Sequence, residues 1–204
     1  MKLDHVEVEV KIRVDDFESL TKSLLANGAK LSAERVYERN VRYEDATNSL
    51  SPDKRVLRLR QDTRARLTYK EPHSTGGDGV TARTELEVTV SDFDTADLLL
   101  AKLGFHSAWV YEKYRTSYEL LGCEVVLDEL PIGKFVEVEG DSIGIEKVLS
   151  VLNLSESRRI LESYSGLFFA LKARLRLDFE DLTFENFKGW TPSTLGKEID
   201  DVSV

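Results

Sequence analysis

The sequence predicts an α+β, mainly β fold: a closed antiparallel barrel of eight strands with helices packed outside. Three observations carry this. Eight segments read as strands, and several alternate strictly between apolar and polar residues, the period-two pattern of side chains pointing to opposite faces. The helical stretches between them are too few for a parallel sheet, which needs a crossover at each step, and eight antiparallel strands suffice to close a ring. On nearly every strand one face is apolar and the other ionic. Helices need an apolar surface to pack on, so the ionic face turns inward.

The elements follow in order. "HVEVEVKIRV" sets Val6, Val8, Val10, Ile12 and Val14 against His5, Glu7, Glu9, Lys11 and Arg13. Asp15-Asp16 offers an N-cap, Phe17, Leu20, Leu24 and Leu25 fall at helical spacing, and Asn27-Gly28 supplies a stop. "LSAERVYERNVRYED" reads as one long extended segment. "RVLRLR" and "RARLTYK" make a hairpin around "QDT". "EPHSTGGDG" is loop punctuation; it lacks the spacing of a phosphate-cradling glycine loop and opens no helix. "VTARTELEVTV" alternates again, and "DFDTADLLLAKLG" is a second helix capped by aspartate and closed by Gly104. "FHSAWVYEKYRTSYEL" and "CEVVLDEL" pair around Leu121-Gly122, and "PIG" leads into "KFVEVEG". A third helix spans "DSIGIEKVLSVLNL", and a fourth runs from about Ser155 to Leu175. The polar tail from about Phe179, with Phe184, Phe187 and Trp190, either docks on the barrel or hangs free. The division is therefore residues 1–178 as the barrel domain and 179–204 as a C-terminal extension of unknown role.

Composition narrows the partners. The 204-residue chain carries a net charge of −9, with 41% hydrophobic and 32% charged residues. An acidic balance disfavours nucleic acid and anionic membranes as partners, while leaving room for a small phosphate ligand in a locally basic pocket. A single cysteine, Cys123, forms no internal disulfide, and the N-terminus has no apolar signal core. No apolar run reaches the roughly 20 residues that span a bilayer. The expectation is a cytoplasmic protein with no membrane partner; a homodimer is compatible with the sequence.

The ionic faces carry the chemistry. Arg58 and Arg60 share one face of their strand; Arg66, Thr68 and Lys70 share the next; then come Arg83, Glu85 and Glu87. Lys113 and Arg115, Glu124 and Asp128, and Glu137 and Glu139 follow. For one strand, a wet face is the ordinary explanation. Across the set, arginine and glutamate dominate where a solvated face mixes in Thr, Ser and Gln. Carboxylates alone suit a hard cation, and basic groups alone suit phosphate. Together they suit a metal–polyphosphate complex, in which carboxylates hold Mg²⁺ or Mn²⁺ and the cations neutralise phosphate. Unfilled, such a lumen is costly. His5, His73 and His106 are too scattered for a metal site, and Cys123 faces the core without a nucleophile's partner.

These residues resemble the CYTH superfamily, which includes class IV adenylyl cyclases and thiamine or inorganic triphosphatases. Glu7, Glu9 and Lys11 match its N-terminal ExExK motif, which by itself has low specificity. The series behind it is more specific: Arg58-Leu59-Arg60, Lys70 in "TYK", Arg83 with Glu85, Lys113 with Arg115, Asp128, and Glu137 with Glu139. The resemblance covers roughly residues 1 to 170 and implies a triphosphate tunnel. It implies triphosphate contacts from Lys11, Arg58, Arg60, Lys70, Arg83, Lys113 and Arg115. It implies metal ligation by Glu7, Glu9, Glu137 and Glu139, led by Glu9 and Glu137, with Asp128 close by. Glu85 and Glu87 either join them or orient neighbouring arginines. "ERNVRYEDATNSL" and "DELPIGKFVEVEG" look most like the class IV cyclase branch. One departure concerns Tyr43-Glu44-Asp45-Ala46-Thr47, where many relatives carry an aromatic residue followed by Asp-Thr; it leaves the geometry of that loop open.

The leading expectation is an adenylyl cyclase that converts ATP to cyclic AMP and pyrophosphate. The close rival is a triphosphatase for tripolyphosphate, thiamine triphosphate or a nucleotide, with Lys70 assisting water attack beside Tyr37 or Tyr43. Lys11 and Lys70 are the candidate catalytic residues. A third alternative is a non-catalytic polyphosphate or nucleotide sensor; a ligand-free structural barrel is disfavoured by its uncompensated lumen charges.

Overall fold

The ring closes in the order β1-β5-β4-β3-β2-β6-β7-β8, every neighbouring pair antiparallel. Its strands are β1 (Val6–Val14), β2 (Lys30–Glu44), β3 (Val56–Gln61), β4 (Ala65–Pro72), β5 (Thr81–Val90), β6 (His106–Leu120), β7 (Cys123–Leu130) and β8 (Gly133–Glu139). The helices are α1 (Phe17–Ala26), α2 (Phe93–Lys102), α3 (Ser142–Val151), α4 (Tyr164–Leu175) and α5 (Pro192–Val202). This computed structural model describes residues 6–73 and 81–203, without the side chains of 192–194. His5 and most of the loop "EPHSTGGDG" lie outside the described residues. No helix among the described residues is long and apolar enough to cross a membrane.

Local chemistry sets the boundaries. Asp16, Asp92, Asp141 and Ser163 each cap a helix with a side-chain oxygen that accepts a backbone N–H of the first turn. Leu121 and Gly122 both adopt positive φ, the primed turn that matches the twist of a two-residue hairpin. The departure at Tyr43–Thr47 has a structural purpose. Glu44 is buried and accepts the amides of Leu50 and Ser51 at 2.9 Å each, and Asp45 accepts those of Thr47 at 2.9 Å and Ser49 at 3.0 Å. Two carboxylates thus satisfy the backbone of the β2–β3 connection.

The apolar strand faces meet the helices as the alternation requires. Val10, Ile12, Val125, Val136 and Val138 lie beneath α1 and α3 with Leu24, Ile145 and Leu149. Cys123 belongs to this cluster, and a Cβ at Gly140 or Gly144 would come within 2.7 Å of its sulfur, so the start of α3 packs directly on it. Val41, Tyr43 and Leu59 lie beneath Ala96 and Leu100 of α2.

The predicted fourth helix is shorter than expected, 12 residues from Tyr164 to Leu175. Residues 155–163 are not helical: the Ile160 amide donates to the Lys11 carbonyl at 2.8 Å and Arg159 bridges to Ile12, because the β5 pairing stops at Glu9 and leaves that edge of β1 open. The helix begins only after Ser163. The tail docks. Leu182 exchanges backbone bonds of 3.0 Å with Val110 and Glu112, and Leu195 and Ile199 of α5 are fully buried.

One further cluster runs against the simple two-face picture. Trp109, Tyr111, Leu130 and Phe135 share the inward faces of their strands with Lys113, Asp128 and Glu137. They pack on Tyr164, Leu167, Phe168 and Leu171 of α4. Trp109 stacks on Tyr111 and Phe168 at 4.8 and 5.8 Å between centroids. The helix therefore stoppers one end of the barrel. Arg13, the last inward cation of β1, bonds Asp200 of α5 at 2.7 and 2.9 Å across the same end.

Candidate active site

The barrel encloses a cavity of about 740 Å³. Of the twelve sequence-predicted site residues, eleven line it: Lys11, Arg58, Arg60, Lys70, Arg83, Lys113 and Arg115 among the cations, and Glu7, Glu9, Glu137 and Glu139 among the carboxylates. The twelfth, Asp128, lies beneath the wall at 0% exposure.

Asp128 organises the floor. It accepts Lys113 Nζ at 2.8 Å, Arg115 Nε and Nη2 at 2.7 and 2.6 Å, and the Tyr164 hydroxyl at 3.0 Å. Burial pushes its carboxyl up, but Arg115 and Lys113 overcome this and hold it well below the usual carboxylate range. Arg115 also reaches Glu137 at 2.7 Å, and Lys11 sits 3.3 Å from the same carboxylate and 4.5 Å over the Tyr164 ring. Glu38, buried on β2, stands 3.7 Å from Lys113 and 3.4 Å from Arg60. Against the cost of burial, Lys113, Arg115 and Arg60 lower its carboxyl to about 2.

On the opposite wall Lys70 is held by Glu7 at 2.5 Å and Glu85 at 2.7 Å. Glu87 accepts Arg60 at 3.1 Å and Thr68 at 2.8 Å, and stands 3.8 Å from Arg58. Glu85 and Glu87 thus orient basic groups, one of the two expected roles. Tyr37 and Tyr43 do not join Lys70. They sit at odd positions of β2, where Glu38, Asn40 and Arg42 take the inward even positions, and Tyr43 donates to Asp97 of α2. Period two overrules the proposed pairing.

A different group of carboxylates stands apart from these ion pairs. Glu9 on β1 lies directly opposite Glu139 on β8, and Glu139 opposite Glu124 on β7. All three line the cavity, and none forms an ion pair among the described residues. Like charges directly opposed across strands are destabilising. Burial and neighbouring Glu137 raise the Glu9 carboxyl, and burial with Glu7 and Glu124 raises that of Glu139 to about 8. Hard oxygen donors that resist ionising alone suit a divalent cation such as Mg²⁺ or Mn²⁺. Among the described residues, no three acidic, histidine or cysteine side chains are already gathered as a metal site.

Glu38 and Arg42 are cavity residues that the sequence reading passed over, and Glu124, placed on an ionic face, was given no site role. The signal was present: Glu38 and Arg42 fall on one parity of β2, and Glu124 shares that of Asp128. His106 is exposed, and Cys123 is buried in the core as expected.

A CYTH domain model matches residues 5–167. A protein of Methanocaldococcus jannaschii named "putative adenylate cyclase" is 26% identical over 175 residues, 79% of this chain and 98% of that one. A structure of the same designation from Vibrio parahaemolyticus superposes with a TM-score of 0.69 at 18% identity, covering 81% of this chain and 99% of its own. A Hippeastrum protein, described as a "putative adenylyl cyclase" that reveals a dominant triphosphatase activity, superposes at 0.61 with 19% identity over 80% of this chain and 95% of its own.

Proposed function

The chain belongs to the CYTH domain family, and on that premise we propose that it is a metal-dependent enzyme acting on a triphosphate held inside the barrel, with cyclisation of ATP to cyclic AMP and pyrophosphate as its reaction. The observation that carries this is the pairing of two inward surfaces. One is a basic wall of Lys11, Arg58, Arg60, Lys70, Arg83, Lys113 and Arg115; the other is the carboxylate row of Glu9, Glu139 and Glu124, which forms no ion pair among the described residues.

The basic wall binds the triphosphate and fixes its path. Asp128 keeps Lys113 and Arg115 aimed into the lumen, a positioning task, instead of ligating metal. Glu9 and Glu139, with Glu124, Glu7 and Glu137 beside them, would hold Mg²⁺ or Mn²⁺, which supplies charge neutralisation at phosphate oxygens. In the reaction the ribose 3′-hydroxyl oxygen forms a bond to the α-phosphorus and releases its proton to solvent, the α–β bridging P–O bond breaks, and pyrophosphate leaves with the electron pair. Negative charge grows on the leaving group, and Lys70, Arg58 and the floor cations are pre-positioned to stabilise it.

A triphosphatase reaction, with water attacking the terminal phosphorus, is the second reading. It is supported by the activity described for the Hippeastrum neighbour and by a cavity wall that would hold a bare tripolyphosphate equally well. Product analysis separates the two. The purified chain is incubated with Mg²⁺ or Mn²⁺ and either ATP or tripolyphosphate, and products are read by phosphorus NMR and chromatography. Cyclic AMP with pyrophosphate establishes the cyclase; orthophosphate without cyclic nucleotide establishes the triphosphatase; ligand binding without product refutes both and leaves a sensor.

A further inference from the structure

Arg42 stands at the stoppered end of the cavity, and no motif claims it. It lies on β2 directly opposite Arg58 on β3 and Trp109 on β6. Two guanidinium groups facing each other across a strand pair repel. Elsewhere in the lumen a carboxylate relieves such crowding: Arg60 has Glu38 and Glu87, Lys70 has Glu7 and Glu85, and Arg115 has Asp128. Among the described residues Arg42 has none, and its side chain makes one hydrogen bond, to Ser165 Oγ at 2.8 Å in the first turn of α4. Arg83 likewise forms no ion pair among the described residues. Glu44, the nearest acid along β2, spends its carboxylate on the amides of Leu50 and Ser51. Burial first, then the proximity of Arg83 and Arg58, pulls the Arg42 guanidinium below its usual pKa, against the pull of Tyr111 and Glu44.

At this end of the cavity Arg58 shares Glu87 at 3.8 Å while Arg42 has no paired carboxylate, and α4 blocks the way beyond it. A triphosphate threaded into the barrel must end here. Its terminal phosphoryl group carries close to two negative charges near neutral pH, because the second ionisation has a pKa of about 6, and three free oxygens. We propose that Arg42, facing Arg58 and steadied by Ser165, is a specificity-determining residue that takes the terminal phosphoryl group of the substrate at the stoppered end of the barrel. The inference rests on the triphosphate reading above. It has a consequence for substrate choice: a chain esterified at its terminus loses a charge and an acceptor at Arg42 and binds poorly.

Calorimetry and NMR test it with two ligands, inorganic tripolyphosphate and the same chain methyl-esterified at both ends. The wild type binds the free chain more tightly than the capped one. Arg42→Gln weakens binding of the free chain by about 10- to 100-fold, the loss expected for a charge-assisted hydrogen bond, weakens that of the capped chain much less, and so narrows the difference between the two ligands. Arg42→Lys, which keeps the charge, recovers part of the difference. The chain has two tryptophans, and Trp109 is the cross-strand neighbour of Arg42 while Trp190 lies on the outer tail. In the wild type, free tripolyphosphate moves the Trp109 indole N–H resonance, assigned with Trp109→Phe, and leaves that of Trp190 in place. In Arg42→Gln the Trp109 shift is lost, and an unmoved Trp190 resonance verifies the fold. An unchanged affinity in Arg42→Gln, or equal losses for both ligands, overturns the proposal while the triphosphate reading stands. No binding of either ligand by the wild type overturns both.

Discussion

Replacing Asp128 with Asn keeps the shape of the barrel floor and removes its charge. Asp128 is fully buried and holds Lys113 at 2.8 Å, Arg115 at 2.6 and 2.7 Å, and the Tyr164 hydroxyl at 3.0 Å. The substitution strands two cations in a low-dielectric floor, where removing one partner of a buried pair costs about 3–5 kcal/mol. Glu137 offsets part of this for Arg115, and Glu38 at 3.7 Å offsets less for Lys113. The lower half of the range is therefore expected, about 3–4 kcal/mol, or roughly 6–16 °C in Tm for a chain of this size. Urea unfolding followed by circular dichroism measures it. The pH dependence supplies a second reading. The folded carboxyl of Asp128 is depressed, so its stabilisation is present above the unfolded carboxylate value of about 3.9 and is lost as pH falls through the folded value. The gap between wild type and Asp128→Asn is thus full near neutrality and narrows in strong acid. A gap below about 1 kcal/mol at neutral pH would refute the reasoning, since a metal-ligand role leaves the metal-free fold nearly untouched.

Lys11→Ala or Arg58→Ala abolishes turnover while circular dichroism stays native; unchanged turnover in either removes the tunnel from the account. Glu9→Ala removes the stimulation of activity by Mg²⁺ or Mn²⁺, read as rate against metal concentration, and retained stimulation displaces the metal assignment. Glu139 binds a proton in the folded chain up to about pH 8 but releases it near the ordinary carboxylate value when unfolded, so metal-free stability falls as pH rises across that window. Glu139→Gln flattens the slope of a Tm–pH series between the ordinary carboxylate value and about pH 8. Leu171→Ala, at a fully buried site in the stopper, costs about 2–5 kcal/mol by urea titration.

Much of this site was legible because a strand's period of two is rigid. Once Glu7, Glu9 and Lys11 share a face, Arg58 with Arg60, Lys113 with Arg115 and Glu137 with Glu139 must share theirs, and ring closure brings all of these faces together. The same rule, applied to β2, places Glu38 and Arg42 inside and Tyr37 and Tyr43 outside. What the alternation cannot give is how far the ionic face extends. Trp109, Tyr111, Leu130 and Phe135 continue the inward faces as apolar positions, and only the docking of α4 explains them. That docking is tertiary, as is the use of Ile160 to extend the β1 ladder, which shortens the fourth helix against its local sequence. The role of Asp128 was equally hidden, because a carboxylate on a charged face reads the same whether it meets metal or arginine.

The central claim is that the lumen is built to receive a triphosphate. Calorimetric titration of tripolyphosphate into the wild-type chain and into Lys11→Ala, in Mg²⁺ and matched salt, tests it most directly. The account predicts one saturable site in the wild type and its loss in the variant, with both chains folded. Absence of binding in the wild type, or equal affinity in the two, would contradict it.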